Sequence, residues 1–234
     1  MRTKLTAMLV ACAALAGGAA AHAAPIPVAT YTFQSLDDVN AFQKVFGAKC
    51  KRKWVGNQAL GIGVASGTNS CQFRSSVVGD SSSGQSDQGM VATTTVSAGS
   101  NKKLQRKAFV GVGVRRSDTA GYFLRILPNT HKWQYLRDPK GSAGPKIEAA
   151  GTASFIKVGS KPNVIAIRAF SRGASTTSVV ASVNGHGVVS TTDAGADQPD
   201  GRQTIVTAGA KGSGAGTGIM GVFDNVTVQV PNPF

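Results

Sequence analysis

The stretch GYFLRILPNTHKWQYLRDPKG, residues 121–141, contains two strand patterns joined by a short turn. Side chains alternate between two faces on both sides of residues 128–131, and each arm carries aromatic residues. A segment that contains Pro-Asn between two alternating runs is typical of a turn between strands. The stretch therefore predicts an antiparallel β-hairpin.

The second arm of this hairpin places Trp133, Tyr135 and Arg137 on one face. Aromatic rings can stack on sugar rings, and a guanidinium donates hydrogen bonds to hydroxyls or carboxylates. These three residues, with Arg125 of the first arm, are therefore candidate ligand-binding residues. The alternative is that this face enters the core, where aromatic side chains bury large apolar areas. Together with Arg125 and Arg137, further arginines at positions 115, 116, 168 and 172 could line one polar sheet face and bind an acidic polymer, or they could be ordinary exposed strand charges.

Most of the chain repeats the strand pattern. Short runs rich in Val and Thr, including ASFIKV at 153–158, are separated by Gly, Ser, Asn and Pro, which predicts an antiparallel sandwich. In SVVASVNGHGVVSTT, residues 178–192, Asn184-Gly185 predicts a tight hairpin turn because both residues tolerate positive φ. Only SLDDVNAFQKVF, residues 35–46, has a helical period, with a capping box at its start. The expected fold is all-β, with one short N-terminal helix.

Residues 1–23 have the features of a secretory signal peptide. Two basic residues precede an apolar run, and small residues end in Ala21-His22-Ala23. A lipoprotein box at residues 9–12 is the alternative, but it would leave an unusually short apolar segment. We expect a secreted protein, periplasmic or extracellular, with one domain over 24–234 and no transmembrane segment.

The chain is basic, with a formal net charge of +14, and without residues 1–23 it keeps 23 basic and 11 acidic residues. Such a charge favours acidic partners, among them anionic polysaccharides. Nucleic acid is not an expected partner, because export removes it and no recognised binding module is present. The densest basic run, NKKLQRK at 101–107, predicts a solvated loop. The oligomeric state is not indicated.

Cys50 and Cys71 remain after the leader is removed, and they are expected to form one disulfide in an exported protein. The basic and aromatic segment KRKW, residues 51–54, follows Cys50 directly; it predicts a solvated loop, with a second binding site as the alternative. A metal site is not expected at the cysteines, because neither His131 nor His186 lies at a ligand spacing from them.

The last strand pattern, GIMGVFDNVTVQV at 218–230, places Asp224 among apolar residues. A carboxylate cannot remain unpaired in a core. The preferred explanation is a β-bulge that turns both Phe223 and Val226 inward and leaves Asp224 to backbone amides. The alternatives are an ion pair with an arginine and a structural calcium ion held by Asp224 and Asn225. No other cofactor is expected.

The order of these elements resembles the concanavalin A-like jelly rolls, and within them the laminin-G-like and 3-keto-disaccharide-hydrolase-like domains of exported bacterial proteins. The resemblance covers about residues 107–230, with weaker support from 29–97. Its segments are FVGVGVRRSDTAGYFLRIL, KWQYLRD, KPNVIAIRAF, SVVASVNGHGVV and GVFDNVTV. It implies a two-sheet antiparallel jelly-roll sandwich whose concave face often holds glycans, sometimes with a structural calcium.

Catalysis does not follow from this resemblance. Hydrolases of the laminarinase group use two glutamates that flank an aspartate on one strand, whereas this chain has a single glutamate, Glu148. The lyase motifs Gln-Ile-His and Arg-Thr-Glu are absent, and so is a serine nucleophile elbow. The expected function is an exported, non-catalytic sandwich that binds carbohydrate or an anionic surface polymer through one sheet face. An envelope structural or protein-interaction domain and a glycoside-processing enzyme are the alternatives.

Overall fold

A computed structural model describes residues 26–47, 49–64, 69–78, 87–117, 120–142, 144–172, 175–211 and 218–230. The predicted leader, residues 1–23, lies outside these ranges. Within them, no helix is long and apolar enough to cross a bilayer.

The strands form two antiparallel sheets. Sheet A has the order β13-β12-β11-β6-β15-β4-β3, and β1 pairs with β15. Its strands are β1 (Ile26–Tyr31), β3 (Lys51–Val55), β4 (Ala59–Val64), β6 (Gln88–Ser97), β11 (Asn163–Ser171), β12 (Thr177–Val183), β13 (His186–Asp193) and β15 (Ile219–Val230). Sheet B has the order β10-β9-β8-β7-β14-β5-β2. Its strands are β2 (Phe42–Phe46), β5 (Ser70–Val78), β7 (Ala108–Arg116), β8 (Gly121–Leu127), β9 (Lys132–Asp138), β10 (Lys146–Thr152) and β14 (Gln203–Ala210).

The core lies between the two sheets, because alternate residues of each strand point to the facing sheet. Strands β6 and β11 of sheet A lie against β7 of sheet B. The side chains of Leu60, Phe223, Val112 and Leu124 are fully buried in this layer. The antiparallel sandwich predicted from the strand pattern is confirmed, as is the 128–131 turn between β8 and β9.

Two short helices accompany the sheets: α1 (Leu36–Asn40) and α2 (Lys102–Gln105). The Ser35 side chain accepts a hydrogen bond from the Asp38 backbone N–H, as the capping pattern predicted. The helical period was wrong beyond Asn40, because residues 42–46 form β2. Phe42 is fully buried, and its ring packs on those of Tyr31 and Phe33. The loop expected at 101–107 contains α2.

Two further local predictions were wrong. Residues 51–54, expected to be a loop, belong to edge strand β3, which pairs with β4. The Arg52 guanidinium fixes this strand by donating to the carbonyl oxygens of Asn40 and Phe42. Residues 153–158, expected to be a strand, form a turn closed by the Ile156 N–H and the Ala153 carbonyl. Ile156 is fully buried there, so the turn contributes to the core.

The disulfide and the Asn-Gly turn are present as predicted. Cys50 is bonded to Cys71. Because Cys50 precedes β3 of sheet A and Cys71 lies in β5 of sheet B, the bond links the two sheets. Closing a loop of this length stabilises a fold by about 3 kcal/mol in the chain-entropy description. Asn184 and Gly185 both have positive φ, 51° and 82°, as a primed hairpin turn requires.

Asp224 marks a bulge in β15, which confirms the predicted bulge; its hydrogen-bond partner is the neighbouring strand residue Asn225, not the loop amides expected at the sheet end. The pairing of β15 with β6 shifts register between Asp224 and Thr227, and Asn225 has a φ of 49°. Phe223 and Val226 are consequently both fully buried. Asp224 lies on the outer face of sheet A. Partial burial raises its pKa, and hydrogen bonds from the backbone and side chain of Asn225 oppose that rise.

The described ranges contain no group of three or more His, Cys, Asp or Glu side chains that could hold a metal ion. Calcium binding by Asp224 and Asn225 stays a prediction.

Candidate functional site

The hairpin residues singled out from sequence parity point into the sandwich. Tyr135 is buried in the core, where its ring stacks on that of Tyr122. Trp133 is partly buried and packs against the core, and its indole lies over Gly151 of β10. Trp133 and Tyr135 therefore do not form an exposed platform, and core packing, the alternative drawn from the sequence, describes them.

Arg137, on the same inner face, is held by two carboxylates. Its Nε donates to Asp193 at 2.6 Å, and its Nη2 donates to Asp197 at 2.7 Å. The Tyr122 hydroxyl also donates to Asp193, at 2.7 Å. Hydrogen bonds to Asp197 and Asp193 raise the pKa of Arg137, and the pKa of Asp197 is lowered in return. These four residues, the Arg137 cluster, tie β9 to β13 and the segment that follows it, which is a structural role.

Arg125 lies on the opposite face of the hairpin, the outer face of sheet B. Its Nε donates to the Gln134 side-chain oxygen at 2.7 Å, and its guanidinium lies 4.8 Å from the centre of the Phe109 ring. Burial lowers the pKa of Arg125 to about 10, so the group remains charged at neutral pH. Within the described ranges no carboxylate pairs with it, and its two terminal amino groups have no hydrogen-bond partner. A fixed, partly desolvated cation without a counter-charge is typical of a binding site.

Strand register aligns Arg125 with other polar side chains across sheet B. This polar row, which crosses five strands, consists of Gln134, Arg125, Gly111, Thr207 and Gln72. Gln134 and Thr207 are nearly buried, whereas Arg125 and Gln72 keep partial exposure. Arg74 and Lys132 add cationic groups to the same face, and Lys132 is exposed. The accessible groups of this face are thus mainly hydrogen-bond donors with positive charge.

An apolar row runs beside the polar row and supports it. Leu136, Phe123 and Ile205 form a small buried cluster, and Val45 packs against it. Two residues along a strand separate neighbouring rows by about 7 Å. The apolar row therefore removes solvent from the neighbourhood of Arg125, which lowers the local dielectric and strengthens any charge interaction there.

Two glycines of β7 make room for this arrangement. A Cβ at Gly111 would lie 2.6 Å from the Leu124 carbonyl oxygen and 2.9 Å from the Arg125 Cβ. A Cβ at Gly113 would lie 2.6 Å from the Phe123 ring. Glycine in a strand interior often marks such a close approach, and this was the sequence signal that could have located the site.

The arginines scattered through the sequence do not share one face. Arg115 is buried and donates to Ser171 and Thr177, so it is part of the interior. Arg168 and Arg172 lie over the Phe170 ring, and Arg168 is on the outer face of sheet A. Of the predicted ligand-binding residues, the structure therefore places only Arg125 on an outer sheet face.

Several known proteins have structures similar to this one. No protein-family model and no curated protein matches the sequence. The carbohydrate binding module CBM66 from Bacillus subtilis matches with 12% identity over 81% of this chain and 95% of that chain, with a TM-score of 0.53. A Bacillus subtilis protein of unknown function with a galectin-like fold matches with 11% identity over 90% and 99%, with a TM-score of 0.58.

The marine PL-14 alginate lyase from Aplysia kurodai is similar as well, with 12% identity over 88% of this chain and 100% of that chain and a TM-score of 0.57. At these identities the likeness concerns the fold alone. It agrees with the two-sheet antiparallel jelly-roll sandwich expected from the order of the sequence motifs.

Proposed function

We propose that this protein binds carbohydrate through the outer face of sheet B, with Arg125 as the main polar anchor. The observation that carries the proposal is the Arg125 guanidinium, which is fixed by Phe109 and Gln134 and has no carboxylate partner within the described ranges. A group that is already oriented loses little conformational entropy when a ligand binds. Two of the similar folds belong to proteins named as a carbohydrate binding module and an alginate lyase, which supports a glycan as the ligand.

The charge of the site favours an acidic glycan. A neutral sugar would bond to Arg125 through hydroxyls and leave its charge uncompensated, whereas a uronate carboxylate can accept two parallel hydrogen bonds from one guanidinium. Arg74 and Lys132 lie on the same face, and the excess of basic residues steers polyanions towards the protein. The proposed ligand is therefore an acidic polysaccharide, bound through its carboxylates.

Binding without bond cleavage is the proposed activity. The polar and apolar rows contain no carboxylate, and Asp138, on the same face, is nearly buried and accepts a hydrogen bond from Ser142. Secretion is part of the proposal, and it is supported by the features of residues 1–23 and by the disulfide.

Calorimetric titration with an acidic and a neutral oligosaccharide of equal length tests the proposal. We expect the parent protein to bind the oligouronate more tightly. Arg125→Met should weaken that binding by about 10- to 100-fold, because hydrogen bonds to charged groups contribute about 1.5–3 kcal/mol.

The matched control is Arg168→Met. Arg168 also lies over an aromatic ring, 5.2 Å from the centre of Phe170, but on the outer face of sheet A. We expect this variant to bind the oligouronate within about twofold of the parent, which is roughly the scatter expected of a distant, independent site. Equal losses in both variants would indicate net charge rather than a site. Unchanged binding by Arg125→Met would place the ligand elsewhere.

A further inference from the structure

Sheet A carries a basic depression on its outer face, at edge strand β3. It is open to solvent, has a volume of about 350 Å³, and lies on the other side of the sandwich from Arg125. Its rim includes Lys49, Lys51 and Lys53, and its floor includes Gly63 and Met220. We call these five residues the lysine depression.

The three lysines occupy alternate positions and are all exposed. Register places Lys51 opposite Gly63, and Gly63 opposite Met220 on β15. Lys51 and Lys53, both in β3, lie about 7 Å apart, and Lys49 lies in the turn that precedes the strand. No described residue provides a hydrogen-bond or ion-pair partner for any of the three ammonium groups. The charges of Lys49, Lys51 and Lys53 are therefore not compensated by any described residue.

Gly63 keeps the floor of the depression low. A Cβ at this position would have no neighbour closer than 3.7 Å, and that neighbour is the Lys51 carbonyl oxygen. The backbone does not require glycine here, because Gly63 is not among the positive-φ residues. The empty space above Gly63 is thus a consequence of the residue and not of the strand geometry.

We propose that the lysine depression binds a linear phosphate-bearing polymer. A lysine ammonium is a compact point charge with three donors, which suits phosphate oxygens but lacks the planar fork that orients a carboxylate. Charges repeated along a strand match a ligand whose own charges repeat, so the partner is a chain and not a single anion. Lysines on an edge strand also hinder pairing between molecules, but that role does not require a glycine floor.

Inorganic polyphosphate is the probe for this proposal, with full-length protein and binding measured at several salt concentrations. We expect the double variant Lys51→Ala/Lys53→Ala to lose at least about tenfold in affinity. The slope of log affinity against log salt should fall by about 1.4, since each neutralised phosphate of a single strand contributes about 0.7. The control is Lys102→Ala/Lys103→Ala, which removes the same charge from exposed positions of α2 and should bind within about twofold of the parent.

Gly63→Val tests the shape of the depression independently of its charge. The new side chain fills the space without altering any charged group, so polyphosphate affinity should fall at least about threefold while the melting temperature is kept. Parent-like polyphosphate binding by Gly63→Val would overturn the assignment to the depression. Equal losses in the two lysine variants would overturn it as well, because net charge would then explain the binding.

Two further results keep this proposal distinct from the one for sheet B. Arg125→Met should bind polyphosphate as the parent does, and Lys51→Ala/Lys53→Ala should still bind the oligouronate. Loss of polyphosphate binding in Arg125→Met would overturn a separate site on sheet A. Binding to phosphatidylserine vesicles without binding to polyphosphate would overturn the polymer as the ligand and indicate a bilayer surface.

Discussion

Arg125 and Arg137 lie on neighbouring strands of one hairpin, yet their surroundings are opposite. Arg137 points into the sandwich and is bound by Asp193 and Asp197, and these contacts raise its pKa. Arg125 points outward and has an amide and an aromatic ring as partners, while burial lowers its pKa to about 10. The two arginines therefore differ in charge compensation: Arg137 is paired with carboxylates and holds the fold, whereas Arg125 has no carboxylate partner within the described ranges.

The difference has an energetic consequence. Partial burial destabilises a charged group because it loses hydration, and this loss is offset only where an opposite charge lies close by. The ion pairs of Arg137 with Asp193 and Asp197 offset this loss, so Arg137 contributes to stability. Arg125 has no carboxylate partner within the described ranges, so its partial burial lowers stability. Proteins commonly accept such a loss of stability at binding sites.

The largest expected effect concerns the inner face of the hairpin. Tyr135→Ala removes a ring that is buried in the core and should lower the free energy of unfolding by about 3–5 kcal/mol, as other aromatic truncations do. Urea denaturation measures this loss. Tyr135→Phe is the control, because it keeps the ring. A loss below about 1 kcal/mol for Tyr135→Ala, the size of a surface effect, would contradict the inward placement of this face.

Removing Arg137 comes next. Arg137→Met leaves the Asp193 carboxylate, whose side chain is only 10% exposed, without its cation. We expect the free energy of unfolding to fall by about 2 kcal/mol, less than for a fully buried pair because both partners keep some contact with water. Oligouronate binding should be unchanged. A variant that folds as stably as the parent but loses the ligand would reverse the roles assigned to the two arginines.

We expect high pH to lower the stability of the protein gradually through the Arg137 cluster, because Tyr122 belongs to that cluster. Burial raises the pKa of Tyr122, and its hydrogen bond to Asp193 adds to the rise. The folded state therefore keeps the phenolic proton more tightly than the unfolded state, whose pKa is 10.0. The resulting stability is fully present below pH 10.0 and is lost as the pH rises towards the folded-state pKa.

Urea midpoints between about pH 8 and 11.5 should show this loss, since that range brackets the ordinary tyrosine pKa. Tyr122→Phe cannot lose that proton, so its midpoint should fall less steeply above pH 10. Equal slopes for the variant and the parent would contradict a buried, protonated Tyr122.

The sequence allowed the hairpin, its turn and the bulge at Asp224 to be predicted, because each depends on residues close together in the chain. It could not tell which hairpin face is inside, because both faces carry large apolar groups, Tyr135 on one and Leu136 on the other. The carboxylates that bind Arg137 lie 56 and 60 residues further along the chain. Only the packing of β13 over β9 brings them together, so parity alone could not distinguish Arg137 from Arg125.

Phe42 shows a similar limit. Its spacing from Leu36 and Val39 suits a helix, but its ring is buried beside Tyr31 and Phe33 once β2 pairs with β5. Tertiary contact therefore overrode a local period. The segment KRKW, residues 51–54, predicts a loop and not a strand, because an edge strand with charged side chains lacks an apolar pattern.

In the proposed role of Arg125, its uncompensated charge lowers the stability of the free protein, and the binding of an acidic glycan offsets this loss. The most direct test is the melting temperature of Arg125→Met with and without oligouronate. A ligand at 100 times its Kd stabilises the parent by about 2.7 kcal/mol. We predict that Arg125→Met without ligand melts at or above the parent temperature and that the same oligouronate concentration stabilises it by only about 0.4–1.4 kcal/mol, because its Kd is about 10- to 100-fold weaker. A variant that melts well below the parent and is stabilised by the ligand as much as the parent is would contradict the account.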